Sequence, residues 1–348
     1  MANLSTNHDP ENMLGYIDAL PEDLAKAWQL GQELPLPAYP QIERVVIAGM
    51  GGSAIGGDLL AAYLADQLTI PVILHRNYDL PAWAKGKNTL VICSSHSGNT
   101  EETLSSFNKA IDENCSLLVL CTGGRLQAEA TAKGVPLWTF MHTGQPRTAI
   151  PYSFGLLLAF FCRLGLANVP EAEMEDTIAV MRAARSKLTA SAELAANPAK
   201  RLAGQLINRN VLVVAAGELE VVARRWKTQI NELAKAWACF EALPEANHNS
   251  LAGLEFPEQL FEHTSALFLR SKIDHPRNAL RLTATQQAYL TAGAGVDAIW
   301  GQGDTRLAQM WSLLQIGDYV AYYLALHYGV DPTPVEALTQ LKQTLAEK

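Results

Sequence analysis

The residues best suited to chemistry in this sequence are a run of small polar side chains from Ser94 to Thr100. The run reads Ser-Ser-His-Ser-Gly-Asn-Thr, follows an apolar stretch at 89–93 and precedes the segment 101–104. This order predicts a buried strand, a hydroxyl-rich turn and the start of a helix. Backbone N–H groups in the first turn of a helix have no partner within the helix, so such a turn suits an anion, most often phosphate. The turn therefore predicts a phosphorylated small molecule as the ligand.

A simpler interpretation of the same turn is helix capping. Hydroxyl groups near helix starts usually serve only as caps, and Asn99 with Glu102 could form a capping box. A cap needs one such residue, whereas four hydroxyl groups crowd the seven positions from 94 to 100. We therefore favour a ligand-binding turn over a capping turn.

A second candidate site is the glycine-rich segment 49–57, directly after a predicted strand at 44–48. Five of its nine residues are glycine, which allows close approach of the backbone to a ligand. The segment also matches the dinucleotide-binding fingerprint loosely, but the next predicted strand ends in His75-Arg76 instead of an acidic residue. Three interpretations of this segment thus remain: a purely structural turn, a turn that binds a nicotinamide cofactor and a turn that binds a phosphate.

Composition narrows the class of protein. The chain has 348 residues, enough for two domains, and a formal net charge of −8, which argues against nucleic acid as the main partner. The histidines show no metal-ligand spacing, so we expect no metal. The five cysteines form no CxxC pair, which indicates reduced core residues in a cytoplasmic protein. The N-terminus has no signal-peptide pattern and no apolar run is long enough for a bilayer, so we expect no membrane association.

The order of elements predicts an α/β fold of two three-layer αβα units with mainly parallel sheets. Strands are predicted at 44–48, 71–74, 90–93, 117–121, 137–140, 211–214, 265–269 and 296–300, with helices between them. A long helix is predicted at 219–237, an apolar one at 151–166, and helices at 306–328 and 335–346 end the chain. The predicted domains are a helical N-terminal arm (1–40, with Pro21 dividing its helices), a first domain (41–167), a helical connector (168–200) and a second domain with a C-terminal helix (201–348).

Four further side chains look unremarkable when each is taken alone. Glu232 lies off the apolar stripe of its predicted helix, and His248 lies in an Asn-rich loop, so both have the pattern of solvated residues. Arg147 and Lys342 likewise carry no signal of their own.

Together, however, several motifs resemble one family. The motifs are GMGGSAIGGD, SSHSGNTEET, PRTAIPYSFG, KTQINELAK, EANHN and LLQIGDYVAYYLALHYGVDPTPVEALTQLK. They fall in order from residue 49 to residue 342 and so cover most of the chain. This set is similar to the bifunctional phosphoglucose/phosphomannose isomerases of the SIS sugar-isomerase superfamily. The resemblance implies two SIS-type domains and an aldose–ketose isomerase without a cofactor or metal. Such an enzyme would interconvert glucose 6-phosphate and mannose 6-phosphate with fructose 6-phosphate through a cis-enediol.

The resemblance also implies roles for individual residues. The sugar phosphate would be held by Gly51, Gly52, Ser53, Ser95, Ser97 and Thr100. Glu232 would move the proton between C1 and C2, Arg147 would stabilise the enediolate, and His248 and Lys342 would assist ring opening. In the family the histidine comes from the partner subunit, which implies a homodimer with composite sites; the arm and helix 151–166 are candidate interface elements. Two positions depart from the family pattern, namely His96, where tyrosine is frequent, and Ser250, where an acidic residue is frequent.

Three alternative functions stay open from the sequence. They are a non-catalytic phosphosugar-binding protein of the same fold, an isomerase of a different phosphosugar, and an NADP-dependent oxidoreductase that uses the glycine-rich segment.

Overall fold

The computed structural model of the chain describes residues 8–347, which form two α/β units. The first unit runs from Ala19 to Ala179, and the second contains the described residues up to Asp18 and those from Val180 onward. The first seven residues of the predicted arm, and Lys348, lie outside the described part of the chain. No helix between residues 8 and 347 is both long enough and apolar enough to cross a membrane.

The N-terminal arm is helical, as the sequence predicts. It contains α1 (Met13–Asp18) and α2 (Leu20–Glu33). Pro21 lies in the first turn of α2, where the missing N–H group has no helical partner to lose. The predicted division of the arm at this proline is therefore confirmed.

The first unit is built on a five-stranded parallel sheet. Its strands are β1 (Arg44–Ala48), β2 (Val72–His75), β3 (Thr89–Ser95), β4 (Ser116–Cys121) and β5 (Leu137–Thr139), in the spatial order β2-β1-β3-β4-β5. Its helices after α2 are α3 (Gly51–Tyr63), α4 (Glu101–Asp112), α5 (Gly124–Ala132) and α6 (Ile150–Arg163), and the division between the units falls within α7 (Glu171–Leu188). The five strands predicted in this half are confirmed.

Burial explains why the centres of these strands are apolar. Every residue of β3 and β4 is buried, because helices cover both faces of the sheet. On one face, Val91 and Val119 pack with Leu104 and Phe107 of α4 in a continuous core. Since all five strands are parallel, the turns that follow β1 and β3 meet at one edge of the sheet.

The apolar helix α6 is buried by the chain itself. All residues from Ile150 to Phe161 are buried. Its contact with α2 is close, because a Cβ atom added at Gly155 would lie 2.8 Å from Cβ of Ala27. Arg163 also donates hydrogen bonds to the backbone oxygens of Gly31 and Leu34, at 2.7 and 2.6 Å. The expectation that helix 151–166 serves as a subunit interface is therefore wrong for residues 151–161.

The second unit repeats the same plan with four strands. It contains α8 (Pro198–Gln205), β6 (Asn210–Ala216), α9 (Glu220–Ala234), β7 (Ala238–Leu243), α10 (Glu258–Glu262), β8 (Thr264–Arg270), α11 (Pro276–Thr291), β9 (Gly295–Trp300), α12 (Arg306–Tyr328) and α13 (Glu336–Ala346). The strands are parallel in the order β7-β6-β8-β9. The α/β fold with two parallel sheets is thus confirmed.

The structure differs from the sequence predictions at three points in this unit, all at the end of α9 or directly after it. The helix ends at Ala234 and not at Trp237, because Lys235 adopts a left-handed conformation with φ of 52°. Trp237 is consequently 74% exposed. Strand β7, which the sequence analysis did not predict, follows at the edge of the sheet. Cys239 on this strand is exposed, so the expectation of a core cysteine fails there.

Helix α9 is held firmly against α12. Arg225 and Asp318 form a buried ion pair at 2.7 Å, and each side chain is only 1% exposed. One residue further on, the Trp226 indole donates to the backbone oxygen of Leu313 at 2.8 Å. Breaking such a buried pair leaves an uncompensated charge, so this contact fixes the helix that carries Glu232.

Candidate active site

The serine turn, residues 94–100, closes β3 and leads directly into α4. Ser95 Oγ accepts a hydrogen bond from the Gly98 N–H at 3.1 Å and lies 3.0 Å from Thr100 Oγ1. Ser97 Oγ accepts from the Asn99 N–H at 3.2 Å. Gly98 has φ of 67°, and a Cβ atom there would lie 1.8 Å from the Gly123 oxygen. The hydroxyl groups are therefore held in a tight loop that only glycine can close.

The hydroxyl groups of this turn do not act as helix caps. Thr100 is the N-cap residue of α4, but its side chain makes no capping hydrogen bond. The capping box considered for Asn99 and Glu102 is also absent, because Asn99 Oδ1 accepts from the Arg125 N–H at 3.0 Å instead. The first turn of α4 thus receives no side-chain cap, which is the condition that favours an anion at this position.

The glycine turn, residues 49–53, has the same property at the start of α3. Its N-cap residue is Met50, whose side chain cannot cap the helix. Gly51 has φ of 51°, and no atom lies within 4 Å of the position that a Cβ atom would take. The backbone of this turn is therefore open to a ligand at Gly51.

A hydrogen bond joins the two turns. The His96 N–H donates to Ser53 Oγ at 3.0 Å, and the strands that precede the turns are paired at Ala48 and Cys93. The structure in this way brings the predicted phosphate-binding residues together at one edge of the first sheet. These residues are Gly51, Gly52, Ser53, Ser95, Ser97 and Thr100.

Arg147 lies beside the glycine turn, in a short 3₁₀ helix at Pro146–Thr148. A Cβ atom at Gly52 would lie 2.6 Å from the Pro146 oxygen and 3.2 Å from Cα of Arg147, so this glycine lets the two segments touch. Arg147 is only 5% exposed. A buried arginine next to the glycine turn, together with two helix starts that lack a side-chain cap, makes this edge favourable for negative charge.

Sequence reasoning missed two residues of this edge, His142 and Thr148. His96 Nε2 lies 3.0 Å from His142 Nδ1, and His142 Nε2 lies 3.3 Å from Thr148 Oγ1. The two histidines are 46 positions apart, so no local pattern in the sequence could have paired them. The side chain of His96 thus points to the Arg147 segment.

Both histidines are held neutral by burial. Loss of solvent around His96, together with the neighbouring His142 ring, lowers the pKa of His96 from 6.5 to about 4. Burial lowers the pKa of His142 as well, while Asp23 acts in the opposite direction. Both rings therefore hydrogen-bond as neutral imidazoles near pH 7.

The three other predicted catalytic residues lie in the second unit. Glu232 is half-buried on α9, two residues before the end of the helix. His248 is exposed at the end of a 3₁₀ helix, Glu245–His248. Its neighbour Asn247 is held by hydrogen bonds to Thr285 at 2.8 Å and to Arg281 at 3.2 Å. Lys342 is exposed on α13.

The same region bears on the dinucleotide and metal alternatives. The dinucleotide alternative would use Arg76, at the end of β2, to hold a ribose phosphate, but Arg76 forms an ion pair with Asp58 of α3. Within residues 8–347, no three histidine, cysteine, aspartate or glutamate side chains are grouped so as to hold a metal ion. The residues grouped at this edge are instead suited to an oxyanion.

Comparisons with known proteins identify the fold and the family. The crystal structure of a hypothetical protein from Thermus thermophilus superposes with a TM-score of 0.73, over 98% of this chain and 91% of the other, at 18% identity. The family described as "Bacterial phospho-glucose isomerase C-terminal SIS domain" matches residues 195–345. The fold and the family model thus define an α/β protein with an SIS-type domain.

Two curated relatives make the family specific. A bifunctional phosphoglucose/phosphomannose isomerase of Caldicellulosiruptor bescii is 41% identical over 330 residues, which cover 94% of this chain and 97% of the relative. One of Aquifex aeolicus is 32% identical over 302 residues, which cover 86% of this chain and 90% of the relative. The chain belongs to the bifunctional phosphoglucose/phosphomannose isomerase family.

Proposed function

We propose that this protein is an aldose–ketose isomerase that interconverts glucose 6-phosphate and mannose 6-phosphate with fructose 6-phosphate through a cis-enediol. The observation that carries the proposal is the pair of uncapped helix starts, α3 and α4, beside a buried arginine. Membership of the isomerase family then selects the reaction among those that a phosphosugar site can serve.

In this proposal the first domain, residues 41–167, anchors the sugar phosphate. The backbone N–H groups at Gly51 and Gly52 and the hydroxyl groups of Ser53, Ser95, Ser97 and Thr100 would surround the phosphate oxygens. Hydrogen bonds from neutral donors to a doubly charged group are strong, and they fix the end of the sugar that does not react. Binding energy from this end orients C1 and C2 for proton transfer.

Proton transfer is assigned to Glu232. A carboxylate base must exchange a proton with both C1 and C2, and half-burial of Glu232 supports this role because it limits access of water to the base. Arg147 would stabilise the negative oxygen of the enediolate, for which its burial is favourable because charges attract more strongly away from water.

Ring opening is assigned to His248 and Lys342. Both side chains are exposed in the single chain, which supports the idea that His248 serves the site of a partner subunit in a homodimer. The five cysteines are all free thiols, which supports the cytoplasm as the compartment in which the protein works.

The direct test is to incubate the purified protein with fructose 6-phosphate and to quantify glucose 6-phosphate and mannose 6-phosphate separately. We expect both aldose phosphates to form. Formation of neither, with retained binding of fructose 6-phosphate, would support a non-catalytic phosphosugar-binding protein or an isomerase of another phosphosugar. A thermal shift with NADP but not with fructose 6-phosphate would support an oxidoreductase.

The role of Glu232 is tested by Glu232→Gln, which removes the base and keeps the shape of the side chain. Turnover should fall by about 10³-fold or more, while binding of fructose 6-phosphate changes little. The matched control is Glu220→Gln at the start of the same helix, where Glu220 pairs with Arg224 at 3.4 Å. Unchanged turnover in Glu232→Gln, or an equal loss in both variants, would exclude Glu232 as the base.

A further inference from the structure

The strongest feature not used by the proposed reaction is a hydrogen-bonded chain that connects the serine turn with the Arg147 segment. It runs from His96 Nε2 to His142 Nδ1 at 3.0 Å and from His142 Nε2 to Thr148 Oγ1 at 3.3 Å. Thr148 Oγ1 lies 2.8 Å from the Gln145 oxygen, which ends the chain. The last side chain in this series, Thr148, is therefore the residue next to Arg147.

The proton positions along this chain follow from its last member. The Gln145 oxygen can only accept, so the single hydroxyl proton of Thr148 is donated to it. Thr148 Oγ1 must then accept from His142, which places a proton on His142 Nε2. A neutral His142 has a bare Nδ1, so His96 Nε2–H is the donor to it. Each bond of the chain consequently has a defined direction.

Both ends of this hydrogen-bonded series, His96 and Thr148, are held by the residues of the candidate site. At one end, the His96 N–H is bonded to Ser53, and the His96 oxygen accepts from Thr122 Oγ1 at 2.7 Å. At the other end, Thr148 belongs to the 3₁₀ helix that carries Arg147. The rings between the ends are packed, since His142 lies 5.8 Å from the Tyr152 ring and Tyr152 stacks on Phe140 at 5.1 Å. A rigid connection of this kind sets the distance between the serine turn and Arg147.

We propose that His142 is a positioning residue for the isomerisation, which holds the Arg147 segment at a fixed place relative to the serine turn through its bonds to His96 and Thr148. The inference rests on the proposed function, because it assigns phosphate anchoring to the serine turn and enediolate stabilisation to Arg147. His142 itself touches neither the phosphate nor the reacting carbons in this account. It acts only by placing Arg147.

This role predicts which kinetic constant changes. The residues of the glycine and serine turns that are proposed to bind the phosphate are unaltered when His142 is replaced, so KM should change little. Arg147 acts on the charge that develops in the transition state, so its displacement should lower kcat. A shift of about 1 Å in such a group can cost on the order of a hundredfold in rate.

The test uses His142→Phe, which keeps a ring against Tyr152 and removes both hydrogen bonds. We expect kcat for fructose 6-phosphate to fall by about tenfold or more, with KM within about threefold of the wild type. In an Arg147→Ala background the same substitution should have no further effect on kcat, because the residue that it positions is gone. A purely structural role would give the same loss in both backgrounds.

A second pair of variants guards against misfolding of His142→Phe. Thr148→Val removes the hydroxyl group and keeps the shape, whereas Thr148→Ser keeps the hydroxyl group. Thr148→Val should reproduce the loss in kcat and Thr148→Ser should restore it. Circular dichroism and binding of inorganic phosphate verify that each variant is folded.

The outcomes separate this inference from the function on which it rests. An active wild type with unchanged kcat in both His142→Phe and Thr148→Val overturns the positioning role and leaves the proposed function standing. Additive losses in the Arg147→Ala background overturn the positioning role as well. A wild type that does not isomerise fructose 6-phosphate overturns the proposed function, and the inference with it.

Discussion

The two α/β units share one strand order but differ at the carboxyl ends of their sheets. The order β2-β1-β3-β4 of the first unit corresponds to β7-β6-β8-β9 of the second. In the first unit, the turn after β3 is the serine turn, which is rich in hydroxyl groups and leaves α4 without a side-chain cap. In the second unit, the turn after β8, residues 271–275, has the same place in the topology but is closed by the chain's own side chains.

Side chains of the protein form hydrogen bonds with the backbone groups of the turn after β8. Ser271 Oγ donates to Gln309 Oε1 at 2.6 Å, and the same oxygen accepts from the Lys272 N–H at 2.9 Å. Asp274 accepts from the Ser271 N–H at 3.1 Å. The side chain of His275 caps α11 by accepting from the Arg277 N–H. This turn therefore leaves little for an anion to bind.

The difference shows that topology supplies a place for a ligand but not the ability to bind one. Both sheets end in a strand, a turn and a helix start, as α/β ligand sites require. What differs is whether side chains of the protein already satisfy the backbone groups at the helix start. The glycine and serine turns leave those groups to a ligand, and the turn at 271–275 does not.

The largest expected effect comes from replacing Gly98, the glycine that allows the serine turn to fold tightly. In Gly98→Ala, the new Cβ atom would meet the Gly123 oxygen, so the turn must deform. We expect isomerase turnover to fall by about a hundredfold or more, because the phosphate anchor is displaced. Initial rates with fructose 6-phosphate and urea unfolding measure the two consequences.

Gly134→Ala is the matched control for this substitution. Gly134 has φ of 65°, close to the 67° of Gly98, but nothing lies within 4 Å of its added Cβ atom. It should lose about 1 kcal/mol of unfolding free energy from backbone strain alone and keep its turnover. Equal turnover in the two variants would contradict the account of the serine turn.

The next largest effect is expected when one serine of the serine turn and one serine of the turn at 271–275 are each replaced by alanine. Ser97→Ala should raise KM for fructose 6-phosphate by about tenfold, because a hydroxyl donor to a charged phosphate is lost. Ser271→Ala should instead lower the unfolding free energy by about 1–2 kcal/mol, because its buried bond to Gln309 is lost, and leave KM unchanged. A raised KM in Ser271→Ala, or none in Ser97→Ala, would contradict the assignment of the anchor to the first unit.

A smaller effect concerns stability and pH. Because burial and His142 lower the pKa of His96 to about 4, the unfolded chain binds a proton there more readily than the folded one between pH 6.5 and about 4. The contribution of neutral His96 to stability is therefore present above pH 6.5 and is lost as the pH falls toward 4. Partial exposure of the ring limits the change to about 1–2 kcal/mol.

His96→Phe isolates this contribution. The difference in urea unfolding free energy between pH 7 and pH 4.5 should be smaller in His96→Phe than in the wild type. An identical pH dependence in the two proteins would show that His96 is not held neutral by its surroundings.

The smallest expected effect comes from adding a cap to a helix that lacks one. Met50 has φ of −126° and ψ of 156°, which suits an N-cap serine. Met50→Ser should stabilise the protein by about 0.5–1 kcal/mol and raise KM by about threefold, since the cap competes with phosphate for the same N–H groups. In the second unit, Thr305 already caps α12 by accepting from Ala308 at 3.2 Å, and Thr305→Ala should lower stability with no change in KM. A stabilised Met50→Ser with unchanged KM would separate the helix start from phosphate binding.

Sequence reasoning succeeded where one local rule controls the outcome. Strands such as β3 and β4 are buried on both faces, so their apolar runs are unambiguous. The serine turn was recognised because four hydroxyl groups in seven residues exceed the needs of a cap. The break at Pro21 followed from the missing N–H group of proline.

It failed where the outcome depends on contacts distant in the sequence. Strand β7 is an edge strand whose half-buried centre contains Glu241, and the turn at Lys235 that precedes it contains no glycine. The partnership of His96, His142 and Thr148 arises only when β3 and the Arg147 segment meet in the folded unit. No pattern within either segment contains that information.

The most direct test of the account is a crystal structure of the protein with fructose 6-phosphate bound. We expect the phosphate group within hydrogen-bond distance of Ser95, Ser97 and Thr100 and of the backbone N–H groups at Gly51 and Gly52. A phosphate group at residues 271–275, with the serine turn left empty, would contradict it.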